Sequence, residues 1–446
     1  MRRSVRVVVC VAFVLAAVAA TGRVTAQNPP AQPPAAAAAA AGSVEKRFYK
    51  AEDRQRALRA SSLFEPRAVA EADILTGPPQ KPDHFIFHLN DKVTCEFAKA
   101  GEEKNGNTPK FDCTITRVED AGGHVQTLTP AMDEEPVKVK FGHDNRETFA
   151  EAASTRLLWA LGFYADGMFP VRLTCLNCPE NPQKASGTPG TRVFDEAVIE
   201  RKAPGRKMYE IGQDNQGWSW KELETNGRPS YEKDGLKMIA AFLIHSDNKP
   251  EQQRLVCDDV TVDQTTTPFT TTCGASRMFV QDTGATWGGG GWTTNPTTAK
   301  MNLSEWSNKR VWKKAGTPQK PLDEPCQAEL KKSLKATDGL GDPRISEEGR
   351  RFAAGLMCQL SDQQIVHLFT VARVAEEPDF RNGDGSFKNG LNEAAVVKLW
   401  ADAFKRKREE LAGARCRMMS PPADLSLIDN PARLPSVPNF CTARPF

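Results

Sequence analysis

Leu243-Ile244-His245-Ser246-Asp247-Asn248-Lys249-Pro250-Glu251-Gln252-Gln253-Arg254-Leu255 sets a dense group of charged and amide side chains, with one histidine, directly behind an apolar run. In that run Leu236, Ile239, Ala240, Phe242 and Leu243 recur at helical spacing, which predicts a buried helix ending where the polar cluster begins. A loop anchored on a buried helix can hold side chains rigidly over a cleft. Phosphoryl transfer needs such a loop: an Asp orients or deprotonates the attacking hydroxyl, a Lys neutralises charge, and an amide a turn later binds metal. Asp247, Lys249 and Gln252 are of those types at that spacing. Farther along, Met278-Phe279-Val280-Gln281-Asp282-Thr283-Gly284 reads as a strand that ends in a metal-binding Asp followed by Gly.

Upstream, short alternating segments at residues 85–89, 93–97, 111–115 and 125–128, separated by Gly, Asn and Asp, predict an antiparallel sheet. The loop over 101–111 carries Gly106 and Lys110; it can fold over phosphates, and on its own it reads equally as a solvated hairpin turn. In residues 137–142, Val137, Val139 and Phe141 face one side, and Lys138 and Lys140 the other. A helix follows over 146–161, with Glu147 and Glu151 on or near one face. A strand Lys paired with a helix Glu is how kinases position nucleotide phosphates, although such pairs are also common on plain surfaces. Strands at 168–173 and 193–202 flank a Pro/Gly/Ser-rich loop, and beyond residue 203 the pattern turns mainly helical. Trp218 and Trp220 near that junction read as core anchors. The Trp306 and Trp312 region reads as helical, and Ser361 opens a capping box. The basic run over 405–408 reads as a helix end facing water.

Taken in order, these pieces resemble a divergent member of the protein-kinase-like superfamily, most similar to its HipA-like branch, which borders the lipid kinases. The kinase catalytic loop His-Arg-Asp-Leu-Lys-Pro-Glu-Asn agrees with residues 245–252 in His, Asp, Lys, Pro and Glu, and departs at Gln252, where Gln stands for Asn. The HipA-like Gly-x-x-Pro-Lys-Phe phosphate loop is matched at Gly106-Asn107-Thr108-Pro109-Lys110-Phe111. The resemblance covers roughly residues 84–290 as a series of short motifs. It implies an α+β, two-lobed protein-kinase-like fold with an antiparallel sheet N-lobe over 61–202 and a mainly helical C-lobe over 203–446. It further implies ATP or another nucleotide with Mg as cofactors. Asp247 and Lys249 would be catalytic, Lys140, Glu151, Gly106 and Lys110 would hold the donor, and Gln252 and Asp282 would bind the metal. The expected activity is transfer of a phosphoryl or nucleotidyl group to an unknown acceptor, a protein or a small molecule. The alternative is an exported pseudokinase or binding scaffold without catalysis.

The chain of 446 residues is long enough for two lobes, and 39% hydrophobic with 26% charged residues is ordinary for a globular protein. Its start reads as a signal peptide over 1–26: basic Arg2, Arg3 and Arg6, a short apolar run, then Val24-Thr25-Ala26. The run is short for a bilayer span, so no stable membrane span is expected after cleavage. A Pro/Ala-rich tether follows over 27–60. Losing the leader's four arginines takes the formal charge from +3 to −1, which argues against nucleic acid as a partner. Export to a periplasmic or extracellular space makes disulfides the default for ten of the eleven cysteines. Near neighbours suggest Cys95–Cys113, Cys175–Cys178, Cys257–Cys273, Cys326–Cys358 and Cys416–Cys441, with connectivity open. Zinc at Cys175 and Cys178 would need a second ligand pair. A hydrolase triad from Ser246, His245 and Asp247 is disfavoured because chain neighbours seldom converge in triad geometry, and His245 reads as a structural histidine bonded to the loop backbone.

Overall fold

A computed structural model describes residues 47–79, 86–98, 108–128, 136–142, 146–211, 217–263, 270–289, 299–330 and 338–417. The expected leader over 1–26, Gly106 and Cys441 lie outside the described residues.

The first described elements are β1 (Arg47–Tyr49) and α1 (Ala51–Ala60). Composition assigned residues up to 60 to a tether, but α1 is amphipathic and buries Arg54, Ala57 and Leu58, so residues 47–60 belong to the folded body. Next come β2 (Lys92–Ala98), β3 (Lys110–Glu119), β4 (Val125–Thr127), β5 (Val137–Lys140), α2 (Glu147–Ala160), β6 (Gly167–Cys178) and β7 (Gly190–Arg201). The sheet runs β2-β6-β7-β5-β3-β4, and β2 also pairs with β3, so five strands close on themselves. The sheet is mixed rather than antiparallel throughout, because β2 and β6 run parallel, with Lys92 opposite Arg172 and Cys95 opposite Cys175. Alternation shows which side chains turn inward but not the direction of the neighbouring strand, so that pair is invisible in the pattern. Inward side chains such as Val93, Phe111, Val139, Phe169, Leu173 and Ile199 make one core.

The remainder is not simply helical. It contains β8 (Arg206–Glu210), α3 (Trp220–Leu223), α4 (Ser230–Leu243), β9 (Gln253–Cys257), β10 (Val260–Asp263), β11 (Thr270–Cys273) and β12 (Ser276–Val280). Then follow α5 (Leu303–Asn308), β13 (Trp312–Lys314), β14 (Cys326–Ala328), β15 (Arg344–Ile345), α6 (Glu347–Cys358), α7 (Asp362–Val371) and α8 (Glu393–Gly413). Trp312 therefore starts a strand, while Trp306 sits on a helix. A four-stranded sheet, β1-β8-β9-β12, borders a second and larger core that includes Leu243, Trp287, Phe369 and Trp400. Helix α2 contributes Phe149, Leu157 and Leu161 to this second core, although it lies between strands of the first. The whole is a mixed α+β structure.

Cys95–Cys113, Cys175–Cys178 and Cys257–Cys273 are disulfides, as chain proximity suggests. Cys326 pairs with Cys416 instead of Cys358, and Cys358 is disulfide-bonded as well. The sulfurs of Cys95, Cys113 and Cys175 lie within 4.8 Å of one another, but all are oxidised and leave no thiolate for zinc. This bonding fits an oxidising compartment, and no helix among the described residues is long and apolar enough to cross a membrane. The run over 405–408 does not simply face water: Lys407 is buried, donates to the Trp306 carbonyl at 3.2 Å and lies over the Trp306 ring. Burial lowers its ammonium to about 8.

Candidate functional site

Helix α4 ends at Ile244, which adopts φ 53° and ψ 56°, a conformation that a β-branched residue enters only under constraint. The turn ends the helix and begins the loop over 245–252, in which His245, Ser246 and Asn248 stay buried. Asn248 anchors this loop: its Nδ2 donates to the carbonyls of His245 (2.7 Å) and Leu340 (3.1 Å), and its Oδ1 accepts from the Leu340 N–H (2.7 Å). The Trp220 indole N–H donates to the Asn248 carbonyl at 2.9 Å, and that of Trp218 to the Phe279 carbonyl at 3.0 Å. Both tryptophans are buried core anchors that also hold the loop and the following strand in place.

The loop feeds β9, which pairs antiparallel with β12 so that Gln253 stands opposite Val280. Past those ends the Gln252 carbonyl accepts from the backbone N–H groups of Gln281 (3.1 Å) and Asp282 (3.3 Å). The chain beyond Asp282 returns to the loop, with the Ser246 N–H bonded to the Ala285 carbonyl and the Trp287 N–H to that of Leu243. Backbone pairing thus brings residues 245–252 against 281–287. Asp247 and Lys249 form an ion pair at 3.3 Å, and the Gln252 Nε2 donates to Asp247 Oδ2 at 3.2 Å.

Opposite lie β5 and α2. Lys140 and Glu151 form a buried ion pair. Burial alone would lower the Lys140 ammonium, but Glu151 and Asp282 outweigh it and raise it. Glu151 is pushed up to about 7 by burial and by the neighbouring charges of Asp282 and Glu147, against the pull of Lys140. Burial would raise Asp282, yet Lys140 and the Gly284 N–H, 3.3 Å from its Oδ1, hold it well below the usual carboxylate range. Gly284 is required by space, since a Cβ there would stand 2.7 Å from Glu147 Cγ. Lys110 sits opposite Lys140 in the β3–β5 register. It has no ion pair within 4 Å among the described residues, and burial with Lys140 and Lys138 nearby lowers its ammonium.

The structure therefore gathers Lys110, Lys140, Glu151 and Asp282 into one cluster and binds Asp247, Lys249 and Gln252 to its rim; Gly106 lies outside the described residues. His245 corrects one expectation. Neither of its ring nitrogens bonds the loop backbone or any other described group, and burial lowers its pKa to about 4, so the imidazole is neutral. Sequence reasoning missed Asn248, hidden among the polar neighbours, and the charge chain that continues from β5: Lys138–Glu200 (2.9 Å), Lys202–Asp166 (2.9 Å) and Arg254–Asp166. Asp166, on the turn before β6, carries no motif that could have revealed it. Comparisons with family models, curated proteins and solved structures found no match.

Proposed function

We propose that this chain is an exported, divergent kinase-like enzyme that transfers a phosphoryl, or nucleotidyl, group from a magnesium-bound nucleotide such as ATP to an acceptor, in a periplasmic or extracellular space. In this reading the closed sheet and α2 correspond to the nucleotide-holding lobe, and the unit built on α4 and the β9–β12 pair to the catalytic lobe. The observation that carries it is the buried association of Lys140, Glu151 and Asp282, drawn from a strand, a helix and a strand end far apart in sequence. Lys140, kept charged and oriented by Glu151, meets donor phosphates, and Lys110, which has no ion pair within 4 Å among the described residues, supplies a second cation. The Asp282 carboxylate and the Gln252 amide oxygen are hard ligands of the kind magnesium takes. Bound there, the ion would neutralise charge on the transferred group. Asp247 at the rim accepts the proton of the acceptor hydroxyl as that oxygen bonds to phosphorus, and Lys249 steadies the transferred group. The bond from phosphorus to the donor's bridging oxygen breaks, and the nucleoside diphosphate (pyrophosphate, for nucleotidyl transfer) leaves with that electron pair.

A second reading, a pseudokinase or binding scaffold, draws support from Gln252. Its amide nitrogen is bonded to Asp247, which ties up the carboxylate that catalysis would use. Thermal unfolding with and without Mg²⁺ and nucleotide tests the site in both readings. Wild type should gain several degrees only with both present, an effect of about 2–3 kcal/mol at saturating ligand. Asp282→Ala should lose the gain. An equal shift in the two proteins would remove Asp282 from the site, and no shift in either would remove the nucleotide.

A further inference from the structure

The face of α2 that carries Glu151 also carries Glu147 one turn before it and Ser154 one turn after. Both flanking residues meet the segment that follows Asp282. Glu147 ion-pairs with Lys300 at 2.7 Å, and Gly284 lies close against its side chain. At the start of the helix, Arg146 binds Asp379 through two nitrogens, at 2.8 and 2.5 Å. Ser154 lies deepest: its hydroxyl is 2.7 Å from that of Thr286 and accepts the Trp287 indole N–H at 2.7 Å.

The protons along this chain of bonds can be assigned. Thr286 donates its one hydroxyl proton to the Thr283 carbonyl, 2.7 Å away, so towards Ser154 it can only accept. Ser154 therefore donates to Thr286 and accepts from Trp287. The chain runs from the Trp287 indole through Ser154 and Thr286 to the carbonyl of Thr283, the residue after Asp282, and every proton in it has an acceptor. Ser154, Thr286 and Trp287 are fully buried, so water does not compete for these bonds. Trp287 has φ 59°, in the left-handed region that a bulky residue enters only when its surroundings compel it. Its ring is packed against Trp306 and Phe369, with centroids 4.9 and 5.5 Å away, and its carbonyl accepts the Asn302 N–H at 2.8 Å. Held in this way, the indole N–H is aimed at α2.

We propose that Ser154 and Thr286 are positioning residues that lock α2 to the turn bearing Asp282, so that Glu151 and Asp282 stand at their working separation before any donor or partner arrives. The inference rests on the phosphoryl-transfer reading and adds to it that the site needs no activating event to bring α2 into place. Neither hydroxyl belongs to the cluster itself. Removing one leaves a buried partner without its bond and frees the Thr283 turn to shift, which displaces the Asp282 carboxylate that would hold magnesium.

Two measurements on the purified protein test it. The first follows the thermal shift produced by ATP at a fixed concentration as free Mg²⁺ is raised, in wild type, Ser154→Ala, Thr286→Val and Thr286→Ser. The Mg²⁺ needed for half the full shift should rise about tenfold in Ser154→Ala and Thr286→Val and stay within about threefold of wild type in Thr286→Ser, which keeps the hydroxyl. A variant that is merely less stable starts from a lower baseline without moving that midpoint. An unchanged midpoint in both hydroxyl-deleted variants, or a Thr286→Ser as impaired as Thr286→Val, overturns the inference and leaves phosphoryl transfer standing. A wild type that shows no shift with ATP and Mg²⁺ overturns both. The second measurement needs no variant to fold: amide hydrogen exchange of wild type over 147–160 and 283–287 should have rates within about threefold of one another with and without Mg²⁺ and ATP. Exchange there that slows about tenfold or more on adding them would mean that the ligand assembles the site, and would overturn the lock.

Discussion

His245 is a buried titratable group with a calculable effect on stability. Its imidazole has a pKa of about 4 in the folded chain against an ordinary 6.5, because burial disfavours the charged form. Between those values the unfolded chain binds the extra proton. The stability that a neutral His245 contributes is therefore complete above pH 6.5 and is lost as pH falls to 4, by about 3 kcal/mol in total. Glu151, raised to about 7, acts in the opposite sense: its contribution is present below its unfolded value and lost as pH rises through 7. The wild-type curve contains both, so the informative quantity is its difference from His245→Leu. Urea unfolding at pH 7.5 and pH 4.5 should show a markedly flatter acid slope in the variant. Parallel curves would mean that His245 is not buried neutral.

At the scale of elements, the pairing of β9 with β12 and the ties of Asn248 fix the loop. Asn248→Ala removes bonds to the His245 carbonyl and to both backbone groups of Leu340 in a buried place, at about 2–4 kcal/mol. The predicted result in urea unfolding is a loss of that size, with nucleotide binding weakened although Asn248 touches no ligand. A loss under 1 kcal/mol would show that the loop is held otherwise. Much of this scale was legible in the chain. The apolar spacing before His245 marks α4, and the alternation of Val137, Lys138, Val139 and Lys140 marks β5, because both patterns record which face is buried. Lys140, Glu151, Asp247, Gln252 and Asp282 could be picked out because their neighbours form motifs of fixed spacing. Asp166, Arg254 and Lys202 could not, since long-range ion pairs leave no periodic trace. The parallel β2–β6 pair and the packing of α2 into the second core depend on partners that alternation does not encode.

For the whole molecule, cysteine pairing shows the same division. Cys95–Cys113 joins β2 to β3, which pair directly, and Cys257–Cys273 joins β9 to β11 over a separation of 16 residues, so chain proximity identifies both. Cys326–Cys416 spans 90 residues and ties β14 to the segment after α8, where nearest-neighbour reasoning has no purchase. Closing so long a loop stabilises by up to about 4.6 kcal/mol in the chain-entropy account. The double variant Cys326→Ser/Cys416→Ser should unfold at correspondingly lower urea, whereas a change under 1 kcal/mol would show that packing alone holds this end. Lys140 stands on a strand whose Val137 and Val139 enter one core, and Glu151 on a helix whose Phe149 and Leu157 enter the other, so their ion pair joins elements of both cores.

Incubation of the purified protein and an acceptor panel with γ-labelled ATP and Mg²⁺ or Mn²⁺ addresses the role of the cluster most directly. Wild type should transfer label to itself or to an acceptor, and Asp247→Ala should reduce the rate by about a hundredfold or more. Label that persists undiminished in Asp247→Ala, or a wild type that binds the nucleotide and transfers nothing, would contradict the assignment of phosphoryl transfer to this site.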